Sequence, residues 1–255
     1  MARAGLISKG IVYCLLGTLA FMAAFEISGQ TDDQADKKGV VEFVQQSIGG
    51  NLLLGLIAIG LICYSAWRLV EAFRKKSDPG ENGIGKKIRY VFSGLVYLSF
   101  ALYSVKLLVG RNDDKGGDAT RDTVATLLDK PYGQWLVGLF ALIIAGVGIY
   151  QGYYAIAGKY KKHVRQLNRG SKSSQLLLRS GKIGYIARGL VWLVIAWLIF
   201  KSAIHANSRE AGGTGNAFKW VESSPFGSYL LGALALGLIC YGVFNFIRAR
   251  YEDFR

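Results

Sequence analysis

The chain has 255 residues, half of them apolar, with a formal net charge of +14 and a mean hydropathy of +0.27. A positive mean hydropathy in so basic a chain excludes an ordinary soluble domain, which interleaves polar and apolar residues more finely. Three cysteines without a Cys-x-x-Cys spacing give no sign of a disulfide framework or a structural metal.

The apolar residues sit in long runs. Residues 52–67, "LLLGLIAIGLICYSAW", and 132–157, "YGQWLVGLFALIIAGVGIYQGYYAIA", carry no charge at all. Six stretches of about 20 residues match the ~30 Å hydrocarbon core of a bilayer. In chain order they cover about 8–27, 50–73, 90–109, 132–156, 184–204 and 226–248. Lipid offers the backbone no hydrogen-bond partners, so each stretch is predicted to be a helix. The first begins with a basic phrase, "ARAGLISKGIVY" at 2–13, as a signal peptide does. No small-x-small cleavage site precedes Asp32, and the phrase has kin later in the chain, so the segment is expected to be retained. Cys14, Cys63 and Cys240 fall inside these stretches and read as small apolar side chains, with no disulfide expected.

The connections alternate in charge. The N-terminus, the 68–89 and 159–188 connections and the C-terminus, with the nearest helix ends, hold 21 Lys and Arg. Segments 28–48, 111–130 and 206–224 hold 8, against 11 acids. The positive-inside rule then places both termini in the cytoplasm. Topology and attraction to anionic lipid headgroups explain the basicity, and no nucleic acid partner is expected.

The chain also repeats itself. "GIVYCLLG" at 10–17 aligns with "GLVYLSFA" at 94–101 and "GLVWLVIA" at 189–196. Gly10, Gly94 and Gly189 each precede an aromatic residue by three positions, namely Tyr13, Tyr97 and Trp192. Seven residues on stand Gly17, Ala101 and Ala196, two turns later on the same helix face. These six small residues are candidate helix-packing positions, because small faces let backbones approach closely in lipid. Second helices repeat as well. "PYGQWLVG" at 131–138 matches "PFGSYLLG" at 225–232, and "IGGNLLLG" at 48–55 is the first copy. "AIGLICYSAWRLVEA" at 58–72 lies over "ALGLICYGVFNFIRA" at 235–249. Between the two helices of each unit, segments 37–50, 121–133 and 216–227 carry apolar pairs three residues apart: Val41 and Val44, Val124 and Leu127, Phe218 and Val221. A short helix at the outer interface, ended by the Pro-aromatic-Gly turn, is predicted there.

The reading is an all-α membrane protein of six transmembrane helices, built as three parallel helical-hairpin repeats with a pseudo-threefold axis. The repeats run over 1–80, 81–165 and 175–255 and form one integral-membrane domain. An even number of spans per unit excludes inverted repeats.

This pattern resembles a bacterial membrane family catalogued as domain of unknown function number 1206. Residues 182–192, 225–241 and 58–73 carry the likeness best. Unit two departs from the pattern at Arg89, Ser93 and Val147. The resemblance implies a six-span inner-membrane protein of three units and brings no catalytic residue with it.

Candidate chemistry is sparse. The two histidines, His163 and His205, do not form a facing pair for haem, and "GGTGN" at 212–216 follows no strand, so no cofactor, metal or catalytic site is expected. Lys106 and Lys201 share one repeat position near the outer ends of the third and fifth spans. They form a candidate outer cation pair, or snorkel to the headgroups. Arg68, Gln151 and Asn245 share another position nearer the inner side. They form a candidate polar cluster, or serve as interhelical hydrogen-bonding glue. Lys9 and Arg188 are equivalent as well and read most simply as inner-leaflet anchors. Two functions remain open. One is a structural or interaction module that binds lipid or a second membrane protein, and the other is a channel or transporter along the pseudo-threefold axis. An enzyme is not expected.

Overall fold

The computed structural model describes residues 2–25, 50–73, 91, 94–95, 97–99, 101–105, 108–109, 119–164 and 172–251. Those residues are all-helical apart from turns and short connections, with no strand among them. The long helices are α1 (Ala2–Ala24) and α2 (Gly50–Phe73), then α4 (Gly133–Ile156), α5 (Lys172–His205) and α7 (Gly227–Tyr251). Two short ones, α3 (Ala119–Leu128) and α6 (Thr214–Glu222), precede α4 and α7. Four helical stretches are long and apolar enough to cross a membrane: Gly5–Ala24, Gly133–Ile156, Gln175–His205 and Gly227–Tyr251.

Two spans start earlier in the chain than the apolar runs suggest. α1 begins at Ala2, two turns before the apolar run, and α5 begins at Lys172, twelve residues before its own. The early part of α5 is charged, yet it is held by the core. Leu178 is buried there, and Gly181 lies under the ring of Phe244. Helix therefore extends past the hydrophobic boundary wherever a neighbouring helix offers apolar contact.

α1 packs against α7 and α2, and α5 packs against α4 and α7. The pairings are antiparallel. Along α1 and α7, for example, Gly10 lies at Gly242 and Gly17 lies at Ala235. The start of α1 and the end of α7 therefore share one end of the bundle, and α3 and α6 occupy the other.

The crossings use the small residues that mark the repeat. A Cβ on Gly242 would stand 2.8 Å from the Gly10 carbonyl oxygen, and one on Gly148 would stand 3.0 Å from that of Gly189. Ser65, at the repeat position of Gly148 and Gly242, donates its hydroxyl to the Gly94 carbonyl at 2.7 Å. Three helix crossings are thus made by one pair of repeat positions. Among the paired small residues, Ala101 and Ala196 are buried, and a Cβ on Gly17 would stand 2.7 Å from the Ala235 carbonyl. Close approach of this kind replaces the hydrophobic effect as the source of cohesion between apolar helices in lipid.

The short helices end as expected but sit deeper than an interfacial helix would. Val124 and Phe218 are fully buried, and Ala217 beside Phe218 is too. α3 and α6 thus insert their apolar sides into the end of the bundle, because the long helices leave apolar surface there to cover. Each is closed by a tight turn with an aromatic residue in the left-handed region, Tyr132 at φ 61° and Phe226 at φ 59°. Both rings project outward, each 81% exposed. The glycine that follows is required by space. A Cβ on Gly133 would stand 2.5 Å from the Leu128 carbonyl oxygen, and one on Gly227 would collide with the Glu222 carbonyl. The corresponding segment of the first unit lies outside the described residues.

Candidate functional site: a buried cation–tyrosine cluster

The deepest polar chemistry lies where α1, α2, α5 and α7 meet. Lys9 is only 3% exposed. Its Nζ lies 3.5 Å from the Tyr64 hydroxyl and 5.2 to 5.4 Å from the ring centroids of Tyr241, Tyr64 and Tyr97. Arg188 donates Nη1 to the Tyr241 hydroxyl at 2.7 Å. Its guanidinium carbon lies 5.0 Å from the centre of the Tyr241 ring and 5.5 Å from that of Tyr13. The rings also brace one another. Tyr13 meets Tyr241 edge-on at 4.7 Å, Tyr64 meets Tyr97 at 4.8 Å, and Tyr185 meets Tyr241 at 5.2 Å.

These positions correct the reading of Lys9 and Arg188 as inner-leaflet anchors. That reading starts the helices at the edge of the apolar run. With α1 beginning at Ala2, Lys9 lies two turns inside, and Arg188 lies sixteen residues into α5. The cations are held there by ring faces. A cation over an aromatic ring gains on the order of 2 kcal/mol once water is excluded, which offsets part of the cost of burial. The spacing Lys9 to Tyr13, i to i+4, puts both side chains on one face of α1, and Tyr185 precedes Arg188 by three on α5. The signal was present in the sequence as equivalent pairs: Lys9 with Arg188, Tyr64 with Tyr241, and Tyr13 with Tyr97.

Compensation in the cluster is incomplete. The Arg188 Nε and the Tyr97 hydroxyl are buried and have no hydrogen-bond partner among the described residues. No carboxylate pairs with Arg188 among those residues. A small recess of about 30 Å³ is lined by Thr214 at the start of α6 together with Arg188 and Tyr13. Its walls are Leu16, Val191, Trp192, Ile195 and Leu238.

The other candidate residues are distributed more widely. Gln151 on α4 and Asn245 on α7 are both buried, and no hydrogen bond joins their side chains. Asn245 donates its amide to the Tyr241 carbonyl of its own helix at 2.7 Å, while the Gln151 side-chain oxygen has no partner among the described residues. Gln151 instead sits at the α4–α5 crossing, its Cβ 3.5 Å from where a Cβ on Gly189 would be. Arg68 lies on α2, but its side chain is outside the described residues, as is all of Lys106. Lys201 lies 3.8 Å from Glu210, whose carboxylate also meets His205 Nδ1 at 2.8 Å. Among the described residues no group of three or more His, Cys, Asp or Glu is arranged to hold a metal.

The repeat seen in this geometry is also the one found by comparison with known proteins. The family described as Domain of Unknown Function (DUF1206) matches the chain three times, over residues 4–75, 88–158 and 183–252. An uncharacterized protein of Bacillus subtilis (strain 168), YxxB, is 30% identical over 252 residues, covering 98% of this chain and 90% of its own. No solved structure matches the chain. Each matched unit contributes a glycine, Gly10, Gly94 or Gly189, to the helix crossings described above, and the three matches take up most of the sequence. The protein therefore belongs to the Domain of Unknown Function (DUF1206) family.

Proposed function

We propose that the protein is a six-span module of the bacterial inner membrane, closed as a pseudo-threefold ring, that binds lipid or another membrane protein and does not conduct. Six spans are supported by the 24-residue helix α2 and the helical positions between 94 and 105, which add to the four long apolar helices. Ring closure is supported by the three equivalent crossings, at Gly10 with Gly242, Gly94 with Ser65, and Gly189 with Gly148. The first helix of each unit lies on the second helix of the unit before it, and α1 on α7 completes the circle. Cytoplasmic termini follow from the positive-inside bias and from the shared end of α1 and α7.

The observation that carries the non-conducting reading is the cluster itself. Lys9, Arg188 and four tyrosines fill the middle of the bundle in mutual contact. A conduit there would need a wet axis, and these side chains form a packed plug. An outward face suited to lipid or a partner helix is present on α4. Trp135 and Ile156 are strongly exposed there, and a Cβ on Gly138, Gly146 or Gly152 would meet nothing within 4 Å. Such glycines admit a second helix at close range.

A transport pathway is the second reading, favoured by the recess that reaches Arg188 from the α6 end. Reconstitution separates the two. Purified protein in liposomes is expected to pass potassium, chloride and small neutral solutes no faster than protein-free vesicles do. Flux above that background, reduced by Arg68→Ala or Arg188→Gln, would establish a pathway and overturn the module.

A further inference from the structure

We infer that the start of α5 and the turn after α4 form a binding site for a phospholipid with an anionic phosphate headgroup. The site deepens the lipid-binding reading above and rests on it. Between Asp129 and Glu210 the chain has no acidic residue. Lys159, Arg179 and Lys182 are exposed there, and none makes a hydrogen bond or ion pair among the described residues. Lys159 does meet a ring, its Nζ lying 4.5 Å from the centre of Tyr153.

Depth places these cations at the headgroups. α5 has 34 residues and is about 50 Å long at ~1.5 Å per residue. The hydrocarbon core takes up ~30 Å of that length, filled by the apolar run over 184–204. Lys182 and Arg179 then stand about 3 and 8 Å outside the run, within a headgroup layer about 5–8 Å deep. The chain after α4 reaches the same level. α4 and α5 run antiparallel through the Gly148–Gly189 crossing, and one stretch of 3-10 helix, Lys159–Val164, follows α4. Tyr160 in that stretch is buried, its ring centre 6.2 Å from that of Tyr185 and 5.6 Å from that of Phe244. The turn is thereby fixed against α5 and α7.

The surface beside the cations favours a lipid over a soluble anion. Ile183, Leu190 and Trp197 are exposed and recur every seven residues, one stripe along α5. Arg179 precedes Ile183 by four and continues that stripe. A phosphate at Arg179 and Lys182 thus has an apolar track for its acyl chains beside it, which free phosphate would leave unused. A second copy would bring the same positive charge to the same place, which opposes its docking. The positive-inside bias requires only basic connections. Cations joined to an apolar stripe at one depth add a preference among lipids.

The test is native mass spectrometry of the full-length protein released from detergent micelles that hold equal amounts of phosphatidylglycerol and phosphatidylcholine. Retained phosphatidylglycerol should exceed phosphatidylcholine about tenfold or more. Arg179→Gln with Lys182→Gln should cut that preference about tenfold, since each cation near a headgroup contributes on the order of fivefold. Lys130→Gln with Lys219→Gln removes the same charge from the opposite end of the bundle and should leave the preference unchanged. All four side chains are exposed, so neither pair disturbs the core. Equal retention of the two lipids by the parent would overturn the site. So would an equal loss in the two double variants, which would assign the effect to net charge. A dimer that retains no lipid and dissociates in Arg179→Gln with Lys182→Gln would give the surface to a second copy and overturn it too. The flux assay judges the module separately, so a non-conducting protein without a lipid preference loses this site alone.

Discussion

The third unit and the second match the same family model but differ at one pair of positions. In the third, α5 meets α7 where Gly184 faces Tyr241. The first hairpin does the same with Gly5 and Tyr64, at the equivalent positions. In the second, Val147 stands where the tyrosine should be and Arg89 where the glycine should be. The glycine–tyrosine contact has two effects. It brings two backbones together, and it sets a phenol over the central cations, Tyr64 on Lys9 and Tyr241 on Arg188. α4 carries neither feature. It packs on α5 and α3 and turns Trp135, Leu142 and Ile149 outward. The repeat is thus conserved in its crossings between hairpins and varied in the lock within a hairpin. Of the four long apolar helices, α4 is the least buried.

The lock makes the strongest prediction. A Cβ at position 184 stands 2.5 Å from both the Cα and the N of Tyr241, which are backbone atoms that no rotamer change can move. Gly184→Val should therefore cost about 3 kcal/mol or more, at the upper end for overpacking. Unfolding by denaturing detergent from mild micelles measures it. Gly152→Val on α4, where nothing lies within 4 Å, should cost less than about 1 kcal/mol. Equal losses in the two variants would break the distinction between the hairpins.

Next in size is the phenol. Tyr241→Phe keeps the ring over Arg188 and removes the hydroxyl that accepts from Nη1 at 2.7 Å. A hydrogen bond to a buried charge contributes about 1.5–3 kcal/mol, and its loss should appear in the same unfolding assay. Tyr64→Phe should lose less, since Lys9 Nζ lies 3.5 Å from that hydroxyl and the three rings around it remain. If Tyr241→Phe unfolds like the parent, the phenol is not what holds the guanidinium, and the lock has only a packing role.

Much of this could be read from the chain, and the part that could not has a physical cause. Long uncharged apolar runs and the aligned strings at Gly10, Gly94 and Gly189 point to the long helices, the repeat and one residue of each crossing. The Pro-aromatic-Gly phrase gave the turns at Tyr132 and Phe226, because a glycine with no room for a Cβ leaves a strong sequence mark. Helix starts were misplaced, since hydropathy registers where lipid begins and not where a neighbouring helix begins. The same error moved Lys9 and Arg188 from the core to the headgroups. A lysine or arginine near the end of an apolar run looks the same whether its partner is phosphate or a ring face. Only the tertiary arrangement, with tyrosines arriving from α2 and α7, separates the two. Sharing a repeat position also fell short of predicting contact. Gln151 and Asn245 share a repeat position, and no hydrogen bond joins them.

On the outward side of the second hairpin, a smaller effect of opposite sign is expected. Gly146 lies mid-helix on α4, and a Cβ there would meet nothing within 4 Å. With no close approach to protect, glycine contributes only backbone freedom to the unfolded chain. Gly146→Ala should therefore raise stability by about 0.5–1 kcal/mol. A loss in its place would mean that a partner or a second copy already occupies this face under the conditions of the assay. The sign of the change thus tests whether α4 is free.

The smallest expected effect lies at the far end of α5. Lys201 and Glu210 are 3.8 Å apart, with side chains 44% and 25% exposed. Water and salt screen such a pair, and exposed pairs contribute about 0.2–1 kcal/mol. Here Glu210 keeps His205 at 2.8 Å when the lysine is removed, so Lys201→Ala should fall at the bottom of that range. Raising the salt should erase the difference, because screening acts on solvated charges. Arg188 is the control within the same helix. It is a cation held by rings and a phenol away from solvent, and the stability of Tyr241→Phe relative to the parent should respond little to salt. A salt-sensitive Tyr241→Phe would place Arg188 in contact with water and ions. Hairpin two carries Lys106 at the position of Lys201, so charge at this end recurs where the glycine–tyrosine lock does not. The first unit has Met22 at this position, so the lysine belongs to two of the three units and does not follow the lock. What distinguishes the hairpins, and what stability measurements should resolve first, is the packing of glycine against tyrosine.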